Sequence, residues 1–149
     1  MEKASEQEQL ESALGNAVRL HGHLGPFLTI GVRMGNLAKR LLRHNAETNA
    51  TYHLTMRVPL VVPFSCAIDG IQVTTNCTIG NQKLAVENSQ KEICADFRVK
   101  DSNRALNISV NPKVISDLMK KMAEGATSEE LAEQIASMAE KLLFTIREQ

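Results

Sequence analysis

Between Tyr52 and Leu60 the apolar residues fall on every second position: Tyr52, Leu54, Met56, Val58 and Leu60 alternate with His53, Thr55, Arg57 and Pro59. Successive strand side chains point to opposite faces, so this period demands a strand with one buried face, its far end marked by Pro59. The residues before it demand helices. Leu10, Ala13, Leu14, Ala17 and Val18 recur at helical spacing behind Ser5 and Glu8, which read as a capping box, and predict a helix from Glu6 to Leu20. Ile30, Met34, Leu37, Ala38 and Leu41 form the apolar stripe of a second helix opening at Pro26, with Arg33, Lys39, Arg40 and Arg43 on its solvent side. Gly31 and Gly35, one turn apart, each weaken that helix by roughly 1 kcal/mol against alanine, which signals something packed closely on its backbone.

Beyond the strand, Pro63 and Ser65 offer a helix start, with Ile68, Ile71 and Thr75 in a short helix ending near Asn76. Three short strands follow, over 83–87, 92–100 and 104–110, separated at hairpin distances and read as an antiparallel meander. Asn111-Pro112 caps a helix to about Ala123, closed by Gly125. Thr127 with Glu130 opens a last helix through Ile146, carrying Leu131, Ile135, Met138, Leu142 and Leu143. The expected architecture is one α+β domain over residues 1–149. It has an α-β-α-β-β-β core, a mixed, mostly antiparallel sheet covered by helices, and two further C-terminal helices.

Lysine plus arginine balance aspartate plus glutamate at 17 each, so there is no net field of the kind nucleic-acid binding relies on. No apolar run approaches the ~20 residues that span a bilayer, and the polar, acidic first residues do not read as a signal peptide; the expected location is the cytoplasm, with no membrane partner. Three cysteines without a Cys-x-x-Cys pair argue for free thiols or ligands rather than a disulfide framework.

Two segments can carry chemistry. In His21-Gly22-His23, a loop backbone would project both imidazoles to one side, whereas a helix would splay them by about 200°. Pro26 disfavours helix just before it, Gly22 lets a ligand approach, and neutral imidazole is the commonest metal ligand. The alternative is one packed helix-end histidine and one exposed. In the second segment, Cys66 falls in the first turn behind Ser65 as cap, where the helix dipole favours thiolate, and Asp69 lies a turn further on the same face. Cys66 and Cys77 are eleven residues apart, about 16 Å along a continuous helix, so Cys77 reaches the same ion only if the helix ends early. It is read equally as a small buried hydrophobe, and Cys94 more firmly so. His44 and His53 read as surface or strand residues. Two imidazoles and a thiolate suit zinc or a similar divalent metal and leave a position open for water or a small ligand, for which Asp69 would be a base or an orienting group.

His21-Gly22-His23-Leu24-Gly25-Pro26 leading to Gly31, and Cys66-x-x-Asp69-Gly70-Ile71-Gln72 followed by Thr75-Asn76-Cys77-Thr78-x-Gly80, together resemble the two motifs of the FmdE family, named for the FmdE component of formylmethanofuran dehydrogenase. The resemblance implies a helix-rich α+β core, a homodimer and a central metal site. His21, His23, Cys66 and Cys77 would hold the metal, most simply zinc, and Asp69 and Gln72 would be the supporting or catalytic groups. Gly25 stands where the family carries a cysteine, and Asn76 where it carries a glycine. The cysteine-rich zinc ribbon of longer members has no counterpart here. The implied role is a metal-binding protein with a small-ligand or catalytic site, accessory to one-carbon or molybdoenzyme metabolism. The alternative is a metal carrier or structural subunit of a larger complex.

Overall fold

The computed structural model describes residues 5–43 and 51–149. Its elements are α1 (Glu6–His21), α2 (Pro26–Arg43), β1 (Tyr52–Val58), α3 (Cys66–Thr75), β2 (Leu84–Asn88), β3 (Cys94–Val99), β4 (Ala105–Val110), α4 (Pro112–Ala123), α5 (Ser128–Ser137), α6 (Glu140–Leu143) and β5 (Phe144–Glu148). The mixed α+β class is therefore as the sequence predicts. The caps are too: Ser5 accepts from the Glu8 N–H, Asn111 from Lys113, and Thr127 and Glu130 form a reciprocal capping box.

Helix α2 occupies the centre because it has three buried faces. Phe27, Ile30, Met34 and Leu37 join the main core with Leu54 and Met56 of β1, Phe97 of β3 and Ile108 of β4. Leu28 and Val32 form a second, smaller core with Ala17 of α1. Gly31 and Gly35 meet α3. A Cβ at Gly31 would lie 2.0 Å from the Ala67 carbonyl oxygen, one at Gly35 1.7 Å from Thr74 Oγ1, and one at Gly70 2.2 Å from the Leu28 carbonyl oxygen. The glycines that weaken α2 locally are what let the two helices cross in backbone contact.

The sheet has the order β2-β1-β3-β4-β5. Only β1 and β2 are parallel, joined by the crossover through α3; the other neighbours are antiparallel. The expected meander is thus only half present. β3 and β4 form a hairpin, but β1 lies between β2 and β3, a long-range pairing that spacing between turns does not reveal. The expected last helix through Ile146 is also corrected. Helix α5 stops at Ser137, and after the one-turn α6 the segment Phe144–Glu148 becomes an edge strand, Ile146 opposite Ile108. The open edge of β4 offers backbone partners that override the helical spacing of Met138 and Leu142, and leaves Leu142 exposed.

Arg33 is not on the solvent side. Its guanidinium reaches across to donate to the carbonyls of Ile135, at 2.9 Å, and Met138, closing the end of α5. Burial pushes its pKa down, with Glu140 opposing. Arg40 is exposed as predicted and pairs with Glu140 at 2.7 Å. His53 is exposed on β1; His44 and the side chain of Arg43 lie outside the described residues. Among the described residues no helix is long and apolar enough to cross a membrane.

Candidate functional site

His21 is the last residue of α1 rather than part of a loop, yet the two imidazoles do come together. Gly22, the C-cap, takes φ 104° and ψ −19°, a left-handed conformation open to glycine at little steric cost, and donates to the Val18 carbonyl. That turn folds His23 back, so the rings stack with centroids 4.8 Å apart and planes 24° from parallel. The convergence expected from a loop is produced by a helix end and one glycine.

Asp69 completes the arrangement from α3. Its Oδ2 lies 2.6 Å from His21 Nδ1. A carboxylate accepts from an N–H at this position, which makes Nδ1 the donor; in the neutral imidazole the lone pair is then on Nε2. The His21 side chain is 14 % exposed, and its Nε2 is buried without a hydrogen-bond partner among the described residues. A buried basic nitrogen without a partner is an unused site for a proton, a hydrogen-bond donor or a metal ion.

Cys66 lies one turn before Asp69 at the start of α3, 9 % exposed, in the main core that also takes in Phe27 and Phe64. The Phe27 and Phe64 rings meet edge to face at 5.3 Å. Ser65 is in αR conformation and makes no side-chain cap, so the predicted cap is absent. Burial pushes the Cys66 thiol up, and the Asp69 carboxylate pushes it further. The expected dipole-stabilised thiolate is therefore corrected: in this pocket desolvation and a neighbouring negative charge outweigh the helix start.

Cys77 is engaged at β1. Asn76, left-handed at φ 57°, ends α3, and the Cys77 thiol turns back to donate to the Tyr52 carbonyl at 3.7 Å, 2 % exposed. Its pKa is likewise raised by burial. Gln72 sits a turn beyond Asp69, half-buried, without a side-chain hydrogen bond among the described residues. Cys94 is half-buried on β3 and pushed up by burial. Among the described residues no three His, Cys, Asp or Glu side chains are drawn together as a ready-made ligand set. His21 touches both His23 and Asp69, and Cys66 lies one turn before Asp69, whose charge acts on it.

One neighbour of this cluster escaped sequence analysis. Ser128, the first residue of α5, lies against Gly25. Its position comes from long-range packing, and nothing in the local pattern around Thr127 points to it.

The family model described as "FmdE, Molybdenum formylmethanofuran dehydrogenase operon" matches residues 20–149. A protein of Archaeoglobus fulgidus described as a probable S-adenosyl-L-methionine-binding protein is 31 % identical over 122 residues, 82 % of this chain. The chain spans about a third of that relative's length, 33 %. The crystal structure of a tungsten formylmethanofuran dehydrogenase FmdE-like protein from Syntrophus aciditrophicus shares the fold, with a TM-score of 0.69 at 20 % identity over 94 % of this chain and 71 % of that one. With both histidines, Asp69 and all three cysteines inside the matched residues, the chain belongs to the FmdE family.

Proposed function

We propose that the chain is a metal-binding member of this family with a small-ligand site. His21 Nε2, His23 and Cys66 would hold a divalent, zinc-like ion, Asp69 would orient His21, and Gln72 would support the bound ligand. The observation that carries the reading is the buried, unpartnered Nε2 of His21, held in place by Asp69 at 2.6 Å on the opposite ring nitrogen. Metal-ligating histidines commonly donate their other N–H to a carboxylate, which fixes tautomer and ring orientation. The donor types also suit zinc, a soft thiol beside two imidazoles. When bound, such an ion supplies Lewis-acid polarisation of a ligand oxygen. The residues themselves hold the proton at His21 Nδ1, keep its far nitrogen free, and keep Cys66 protonated until a cation compensates its burial. Cys77, engaged at Tyr52, is left out of the set. The setting is a cytoplasmic homodimer accessory to one-carbon or molybdoenzyme metabolism, which the family description and the exposed Leu60, Val61 and Val62 support.

Elemental analysis of protein purified without chelator tests this, beside His21→Ala, His23→Ala, Cys66→Ser and Asp69→Asn. Near-stoichiometric zinc is expected in the wild type, with loss in the first three variants. Asp69→Asn should bind zinc roughly 10- to 100-fold more weakly, the usual effect of removing an orienting partner. Light scattering on the same samples should give twice the chain mass. A wild type without metal, or variants that keep it, would overturn the reading.

A further inference from the structure

We propose that a cavity where β3, β4 and β5 meet the start of α4 is a second binding site, for a small molecule with an apolar body and one anionic group. Strand alternation sets its position. Ala95, Ile108 and Ile146 stand opposite one another across the three strands, and Ala95 and Ile108 are buried in the core with α2. The neighbouring row, Cys94, Ser109 and Thr145, therefore points to the other side of the sheet, as does Arg147 two residues on. The cavity opens there and is lined by no residue of the histidine cluster, so it stands or falls apart from the metal reading.

Its volume is about 310 Å³, at the lower end of the roughly 300–1,000 Å³ usual for small-molecule pockets. The lining is mostly apolar, with Ile93, Val110, Pro112 and Ile115 against it beside Cys94. Burial pushes the Cys94 thiol up and Glu92 adds to this, so the sulfur lines the cavity as a neutral, polarizable surface. The charged residues around it are mainly cationic. Lys91 and Arg147 are exposed, and neither makes an ion pair or a side-chain hydrogen bond among the described residues. Asp96, on the same face as Arg147, is engaged with Arg98 at 3.3 Å, which leaves Glu92 as the acid lining the cavity. The Thr145 hydroxyl is also without a partner among the described residues, whereas Ser109 donates to Asn107 at 3.1 Å. An apolar body held by the cavity thus brings an anionic end to a lysine, to an arginine whose planar fork matches carboxylate and phosphate oxygens, and to a hydroxyl.

The test is a titration of ¹⁵N-labelled protein with octanoate, octyl phosphate and the neutral octanamide at constant ionic strength, below micelle formation, reading the amides of Cys94, Ser109 and Thr145. Saturable shifts at these amides are expected, with at least one of the two anions binding about ten-fold more tightly than octanamide, as for a hydrogen bond to a charged group. Arg147→Gln, at an exposed position, should remove that preference and leave octanamide binding unchanged. Thr145→Trp, also exposed, should fill the cavity and abolish binding of all three. Bound octanoate or octyl phosphate should also slow alkylation of Cys94 by iodoacetamide, mapped by mass spectrometry. Equal affinity for anions and amide, a preference that survives Arg147→Gln, or Cys94 alkylation unaffected by saturating ligand would overturn the proposal. So would shifts confined to His21, His23 and Asp69, which would assign the ligand to the other site. Zinc content should be the same in both variants as in the wild type, whatever that content is.

Discussion

A thiol in the first turn of a helix ordinarily ionises more readily, because the free N–H groups and the dipole stabilise the thiolate. Cys66 stands in that turn and goes the other way, raised by burial first and by Asp69 second. Cys77 and Cys94 are raised by burial as well. A pKa raised in the folded state means that the folded chain holds its protons after the unfolded chain has lost them. The associated stability is complete below the unfolded thiol pKa of about 8.5 and is lost as pH rises through the folded values. Urea midpoints should therefore fall from about pH 8.5 upward, and Cys66→Ala should flatten that fall. A variant with the same alkaline slope as wild type would remove Cys66 as a contributor. Much of the site was legible at this scale, since His21 and His23 are sequence neighbours, as are Cys66 and Asp69. What local spacing missed was the direction in which the Cys66 thiol is pushed, since its burial in the main core comes from residues of other elements packed over α3.

Between elements, the crossing of α2 and α3 decides the position of Asp69 relative to His21, and it depends on glycine. Gly31→Ala gains roughly 1 kcal/mol of helix propensity. It also places a methyl 2.0 Å from a backbone carbonyl, which yields only if α3 moves. Overpacking of this kind costs about 1–3 kcal/mol or more, so the net effect should be destabilising and zinc binding should weaken with it. Gly15→Ala is the counterpart. That position is exposed within α1 and a Cβ there meets nothing within 4 Å, so the propensity gain of about 1 kcal/mol should appear as added stability. Denaturant melts of the two variants should move in opposite directions; a stable Gly31→Ala would mean that the helices are not in backbone contact. The spacing of Gly31 and Gly35 announces such contact, and the caps of α1, α4 and α5 are readable because their partners lie within a few residues. The position of β1 in the sheet and the identity of β5 are not. Both depend on which strand edge is free after folding, a property of no single segment.

At the scale of the whole molecule, α1 stands apart from the main core. It packs through Ala17 into the small cluster with Leu28 and Val32, whereas β1 and β3 have neighbours on both sides and inner faces that are fully buried. Opening α1 costs few apolar contacts, so its amides should exchange faster than those of Leu54, Met56, Ala95 or Phe97. Yet α1 carries His21, and the bond from its Nδ1 to Asp69 is a polar tie between that helix and α3. If His21 and Cys66 share an ion, binding spans α1 and α3 and opposes this local opening. Zinc should then protect α1 by the full binding free energy expected from linkage, because the opened form has lost the site. Central strands that exchange only through global unfolding gain the same increment and keep their rank. The edge strand β5, at the end of the sheet order and free to fray by itself, should gain least. Hydrogen exchange with and without zinc separates these cases. Protection of α1 and the start of α3 by that full increment would place the ion across the two helices, and an α1 that gains no more than β5 would put it elsewhere.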